Sequence, residues 1–191
     1  MDFLILDVET CPIEMEGYFG LSEAEQKKLI NPVDSRIVAI GLKQGSVLKV
    51  IQDLDEKKML EAFWKEVSFF KKGASGQKRI VGFNLKEFDL PVLVTRSFLN
   101  DVEIEQFNLK EVIDLREKLS AFKWGPTRGK LKEYGKALNI ELHEMEGGDV
   151  AKACVEGKFD KIKQYLEKDL EITAKILERT VKTRIIEIER W

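Results

Sequence analysis

The sequence predicts an α/β domain: a mixed five-stranded sheet, made of a three-strand antiparallel meander plus parallel strands, flanked by helices. Three observations predict it. The chain opens on a compact apolar run, two further strand-like runs are joined by a tight turn, and helical and strand-like segments then alternate. With 191 residues and 43% hydrophobic content, the chain can enclose a substantial core within the length of one domain. A single unit over residues 1–191 is expected.

Phe3-Leu4-Ile5-Leu6 suits a buried central strand. Ser22-Glu23-Ala24-Glu25 has the form of a capping box, so a short helix is expected between the first and second strands. Ile37 to Leu42, then Gln44-Gly45, then Val47 to Ile51 read as two antiparallel strands and their turn. After Asp53, Met59, Leu60, Phe63, Trp64, Val67 and Phe70 recur at helical spacing, and Gly73-Ala74-Ser75-Gly76 marks a surface turn. Ile80 to Phe83 is a fourth strand. A helix begins at Asp89-Leu90-Pro91, where Asp89 suits an N-cap and proline is tolerated in the first turn. Val112-Ile113 is a fifth strand ending at Asp114, and Leu131 to Leu138 is a short helix. The pattern between them is indefinite. From Asp149 two helical segments follow, separated by Gly157, the second running from about Phe159 past Leu177.

Composition excludes several classes. No long apolar run suggests a membrane span and no leader pattern is evident, so a soluble, cytoplasmic protein is expected. Cys11 and Cys154, with His143 as the sole histidine, cannot make a zinc ligand set, and both are expected as reduced, packed thiols. Lysine and arginine number 32 against 34 acids, a net charge of −2, so any nucleic-acid surface must concentrate its positive charge locally.

The chemistry is written in acids. Alternate residues of a strand share a face, so Asp7 and Glu9 project together from the end of the first strand. Crowded carboxylates repel one another, and a hard divalent cation relieves them. In the last long helix Phe159, Ile162, Leu166, Leu170, Thr173 and Leu177 share one side, and both Asp169 and Tyr165 fall within that inward arc. A carboxylate facing inward requires a metal, a basic partner or hydrogen bonds. Asp89 taken alone is a helix cap, but Asn84 and Phe88 precede it just beyond a strand of the same sheet.

Phe3 to Thr10, Val81 to Pro91 and Tyr165-Leu166-Glu167-Lys168-Asp169 resemble, in order, the three exonuclease motifs of the DEDD superfamily. The likeness is greatest to the proofreading domain of family B DNA polymerases, and Gly147-Gly148-Asp149-Val150 is similar to a segment of that branch. Tyr165 lies four residues before Asp169, and Gln164 stands where the alternative branch has histidine, so the chain resembles the tyrosine branch. His143 is then a loop or surface residue.

The resemblance implies a ribonuclease H-like fold and two divalent ions, Mg²⁺ or Mn²⁺, held by Asp7, Glu9, Asp89 and Asp169. Asp7 would bridge the ions, Glu9 and Asp169 would complete one shell, and Asp89 would support the other. Ions roughly 3.5–4 Å apart serve in-line displacement at phosphorus. Tyr165 would orient the attacking water, because a phenol is a poor base at neutral pH. The implied activity is 3′ to 5′ exonucleolytic removal of nucleoside 5′-monophosphates from DNA 3′ ends, read as single-stranded. Thr10 and Asn84 are candidate substrate contacts and Phe88 a candidate base-stacking residue, with a core role for Phe88 equally open.

Arg116, Lys118, Lys123, Arg128, Lys130, Lys132 and Lys136, against Glu117 and Glu133, nominate a phosphate-tracking segment. The terminal Ile185 to Trp191 is apolar enough either for self-association into a homo-oligomer or for closing its own core. An RNA-trimming exonuclease and a noncatalytic nucleic-acid-binding relative are the alternatives; the presence of all four acids and Tyr165 favours an enzyme. A phosphatase with an Asp-x-Asp nucleophile is disfavoured because Glu9 holds the second position.

Overall fold

The computed structural model describes residues 1–73, 76–125 and 128–190. Its spine is β1 (Asp2–Pro12), whose alternate side chains divide between two cores. Leu4, Leu6 and Val8 enter one and Ile5 enters the other. β2 (Ser35–Gln44) pairs antiparallel with β1, and β3 (Val47–Ile51) antiparallel with β2 across the turn at Gly45 and Ser46. β4 (Lys78–Gly82) and β5 (Val112–Asp114) add in parallel on the other side, giving the order β3-β2-β1-β4-β5. This is the mixed five-stranded sheet that the sequence predicts.

Parallel neighbours need crossovers, and two helices supply them. α2 (Glu56–Lys72) joins β3 to β4 and is capped by Asp55, whose side chain accepts from the Lys57 and Lys58 amides. α3 (Asp89–Leu99) lies between β4 and β5. Both pack on the Leu4-Leu6-Val8 face, where Phe63, Leu60 and Leu93 are essentially fully buried. Each such side chain contributes about 1.5–3 kcal/mol by leaving water. Arg96 of α3 braces this layer, its Nε and Nη2 donating to the two carboxylate oxygens of Glu56 at 2.9 and 2.6 Å. Glu56 Oε1 also accepts from the Ile37 amide at 2.7 Å, tying α2 and α3 to β2.

The opposite face is covered by α7 (Phe159–Lys182), with α5 (Leu131–Ala137) and α6 (Val150–Val155) beside it. Leu170, Ile172, Ile176 and Leu177 meet Ile5, Val81 and Ile113. Farther along β1, Cys11 joins Val150, Ala153, Ile162 and Leu166, and Cys154 packs against the same cluster. Both thiols are free, as expected. Gly41 lets α7 approach β2, since a Cβ there would stand 2.6 Å from Leu170 Cδ1.

α1 (Glu23–Leu29) carries the expected capping box between Ser22 and Glu25. The indefinite stretch after β5 holds α4 (Leu115–Leu119), capped by Asp114, which accepts from the Arg116 and Glu117 amides. Left-handed Ala121 and Phe122 follow, at φ 46° and 61°. Part of the expected 73–76 turn, Ala74 and Ser75, lies outside the described residues, as does Trp191. Of the apolar terminus, Ile186 packs on the α7 core and the Ile188 carbonyl accepts from the Lys118 ammonium, so this tail closes its own core. No helix among the described residues is long and apolar enough to cross a membrane.

Gly82 ends β4 beside Leu6 of β1. A Cβ at this position would lie 2.8 Å from the Leu6 carbonyl oxygen, a backbone atom that cannot swing aside. Gly82→Ala is therefore expected to destabilise the fold by about 1–3 kcal/mol, lowering the melting temperature by several degrees. An unchanged thermal denaturation curve would contradict this packing.

Candidate metal centre and cleft

The face of β1 that is apolar at Ile5 becomes acidic at Asp7 and Glu9, both aimed toward α7. A register shift between Glu9 and Thr10 bends the β1–β2 pairing just there, the kind of irregularity that re-aims side chains beside functional sites. On α7 the helical repeat stacks Tyr165 and Asp169 one turn apart on the buried side. Asp7, Glu9 and Asp169 can each offer a carboxylate oxygen such that the three lie within 4.8 Å of one another. Acids separated by up to 162 positions in the chain thus face one point.

Asp89 is the first residue of α3; Phe88 holds the cap position, without a side-chain capping bond, so the capping use open to Asp89 taken alone does not apply. The Asp89 carboxylate instead crosses to the first strand, where Oδ1 accepts from the Val8 amide at 2.9 Å. Val8 separates Asp7 from Glu9, so this bond fixes Asp89 against both.

The electrostatics follow from the crowding. Burial, then the charges of Asp89, Glu9 and Asp169, push the Asp7 carboxyl well above its ordinary range. Glu9 is raised likewise, by burial, Asp169 and Asp89, against an opposing pull from Lys132. Burial takes Asp89 up to about 7 and Asp169 up to about 6, the latter eased by hydrogen bonding with Tyr165. The Tyr165 phenol is itself pushed far up, by burial and then by Glu9, Asp169 and Asp7, so it stays protonated at neutral pH. Asp169 Oδ1 is buried without a hydrogen-bond partner among the described residues. A buried orphan oxygen beside other carboxylates is costly in the bare protein. Hard divalent cations prefer such an all-oxygen donor set.

Of the four acids, Glu9 lines a cleft of about 630 Å³, together with Thr10, Tyr18, Phe88, Lys130 and Gly147. Thr10 and Phe88, the candidate contacts, both line this cleft. Phe88 is partly buried and packs on the α2/α3 core, the core role the sequence leaves open for it. Asn84 is held for another purpose. Its backbone is left-handed at φ 65°, its amide donates to Asp114 Oδ1 at 3.0 Å, and its side-chain oxygen accepts from Arg116 Nη1 at 2.9 Å. A substrate contact from Asn84 would fall to its side-chain nitrogen.

A family model described as the RNase_H superfamily matches residues 23–181. The chain belongs to the RNase_H superfamily. Uncharacterized protein MJ0365 of Methanocaldococcus jannaschii is 30% identical over 169 residues, covering 83% of this chain and 93% of that protein. The structure of the family B DNA polymerase from the hyperthermophilic archaeon Pyrobaculum calidifontis matches with a TM-score of 0.72 at 16% identity, over 97% of this chain. This chain spans 25% of that polymerase, and the likeness shows the shared fold. The expected ribonuclease H-like architecture is thereby met, and the acidic cluster gives this RNase_H-superfamily member a nuclease-like centre able to hold metal.

One residue of this RNase_H-superfamily site was misassigned from sequence. Lys132, placed among phosphate-tracking residues, instead turns its ammonium inward, 5.3 Å from the centroid of the Tyr165 ring. It donates to the carbonyls of His143 and Met145 and to Glu146 Oε1, pinning the loop before α6 against the acids. His143 is a loop residue as expected, but its ring stands 5.9 Å from that of Tyr165. Asp114 was likewise underestimated: buried, it caps α4 and holds the Asn84 and Lys86 amides, shaping the loop that delivers Asp89. An aspartate before a short helix was the available signal for it; nothing local marks Lys132.

Lys132 favours the ionised forms of Glu9 and Asp169. Lys132→Met is therefore expected to move the acid limb of the pH–rate profile upward by about one unit, the usual effect of losing a nearby opposite charge. A kcat/KM profile with an unmoved acid limb would remove Lys132 from the site.

Proposed function

We propose that this protein is a metal-dependent 3′ to 5′ exonuclease, a single domain over residues 1–191, that removes nucleoside 5′-monophosphates from single-stranded DNA ends. The observation that carries this reading is the convergence of Asp7, Glu9 and Asp169 with Asp89 braced on the Val8 amide. Asp7, Glu9, Asp89 and Asp169 would hold two Mg²⁺ or Mn²⁺ ions, which supply Lewis acidity at the scissile phosphate and a more acidic water. The protein supplies position. Tyr165, kept protonated, uses its hydroxyl beside Asp169 to orient the attacking water, and the 3′ oxygen leaves on the opposite side of phosphorus. Lys132 limits the net negative charge that an incoming phosphate meets.

The cleft supports a single strand as substrate. Its volume of about 630 Å³ suits one terminal nucleotide, with Phe88 available to its base and Thr10 to polar contact; Asn84 would contribute only through its side-chain nitrogen. A paired end would have to fray to reach Glu9. The similarity to a polymerase structure supports DNA over RNA.

The test offers the full chain 5′-labelled single-stranded DNA, duplex DNA and RNA, with Mg²⁺, Mn²⁺ or chelator. A ladder descending from the 3′ end of single-stranded DNA, abolished by chelator, is expected. Cleavage that persists without metal overturns the reading, and a ladder on RNA alone transfers the activity to RNA trimming. Tyr165→Phe is expected to slow turnover roughly 10- to 100-fold through a misplaced water, with metal affinity nearly unchanged by calorimetry. A large loss of metal affinity would contradict an orienting role.

A further inference from the structure

The basic segment between Arg116 and Lys136 is not the uniform phosphate track its composition suggests, because the fold turns its cations to different tasks. Arg116 donates to Asn84 and to the Gly129 carbonyl, Lys118 to the Ile188 carbonyl, and Lys132 to the loop beside the acids. Arg128 is buried and pairs with Glu87. Lys123 and Lys130 face solvent. Between them in sequence stands Trp124, 68% exposed.

That indole is both open and firmly seated. The Arg128 guanidinium lies 5.6 Å from the ring centroid and covers one side, and the high exposure leaves the other side to solvent. Arg128 is fixed in turn: its Nε donates to the Gly125 carbonyl at 3.2 Å, and its own carbonyl accepts from the Tyr134 hydroxyl at 2.9 Å. Its pairing with Glu87 ties the indole to the wall that carries Phe88 and Asp89. Lys130, at the far end of the same loop, lines the cleft together with Glu9 and Phe88. An aromatic face between two solvent-facing lysines, one of which lines the cleft, has the chemistry that grips an unpaired strand: stacking on a base and attraction to its flanking phosphates.

We infer that Trp124 is a stacking platform for an unpaired nucleobase on the 5′ side of the scissile phosphate, with Lys123 and Lys130 meeting neighbouring phosphates. The inference rests on the exonuclease reading of the acidic cluster and extends it to the strand outside the cleft. The platform explains how the chain holds a substrate longer than the one nucleotide its cleft accommodates. It is also indifferent to base identity, since every base presents a π face.

The experiment measures the affinity of the full chain, in chelator, for a fluorescent single-stranded deoxyoligonucleotide of roughly 4–16 nucleotides, with Trp124→Ala, Trp124→Leu and Trp124→Phe alongside. Loss of one stacked base is expected to raise Kd about tenfold in the alanine and leucine variants. Phenylalanine, which keeps a π face, should retain most of the affinity. The salt dependence of binding should keep its slope, because no phosphate contact is lost. Wild-type affinity in the leucine variant overturns the inference, since bulk without a π face would then suffice. In parallel, the wild-type protein is assayed for a metal-dependent 3′ ladder. A ladder with unaltered affinity in the alanine and leucine variants sinks the platform alone; neither ladder nor binding by the wild type sinks the exonuclease reading and the platform with it.

Discussion

Asp7→Asn is expected to abolish metal-dependent 3′-end hydrolysis, lowering kcat at least about a thousandfold, the equivalent of roughly 4 kcal/mol of transition-state stabilisation. The Asp7 carboxyl feels the charges of Asp89, Glu9 and Asp169 at once. Asparagine preserves shape and a hydrogen-bonding oxygen but removes the charge that would bind a divalent ion. The same substitution should raise the melting temperature of the metal-free protein, because it relieves repulsion among buried acids without opening a cavity. The paired measurement is single-turnover hydrolysis in Mn²⁺ and thermal denaturation in chelator. Wild-type turnover would defeat the metal-centre assignment. A large drop in melting temperature would show that Asp7 is there for the fold.

The metal-free protein is expected to lose stability as pH rises from about 5 to 8, and divalent metal should restore it. The folded state raises Asp89 to about 7 and Asp169 to about 6, from an ordinary 3.8, and lifts Asp7 and Glu9 as well. A carboxyl whose pKa is higher folded than unfolded binds its proton more tightly in the native state. Its contribution is then complete below the unfolded range near 4 and is lost as pH climbs through 6 and 7. Bound metal replaces those protons, so the metal-induced rise in melting temperature should be larger at pH 8 than at pH 5, on the order of 5 °C for a change of a few kcal/mol. Exposed acids elsewhere respond differently, since Asp2 and Glu23 are lowered by lysine partners. Subtracting the behaviour of Asp7→Asn isolates the cluster. Equal metal effects at both pH values would sink the expectation.

The expected and observed folds agree where periodicity is strong and diverge where a residue's role depends on a distant partner. Asp89 illustrates the difference. Its position ahead of Leu90-Pro91 reads as a cap, because capping is the commonest use of aspartate at a helix start. The Val8 amide that claims it lies 81 positions away. The seven basic residues between Arg116 and Lys136 read as one surface for the same reason: composition counts cations but does not say which way they turn. Burial of Arg128 against Glu87 and the inward turn of Lys132 follow from packing around Tyr134 and Tyr165. The apolar terminus left two readings, and the contact of Ile186 with the α7 core favours self-closure for the described part.

What the sequence alone determined is whatever one repeat of backbone geometry dictates. The two-residue strand period put Asp7 and Glu9 on one side, and the helical period put Tyr165 and Asp169 together on the inward arc of α7. The tertiary structure decided the rest: that these two faces meet, that Asp89 spans to the Val8 amide, and that Lys132 enters the acidic cluster while Trp124 stays outside. Local periodicity is a property of each segment by itself. Partnership between segments depends on how sheet and helices pack, and that is settled by the whole core at once.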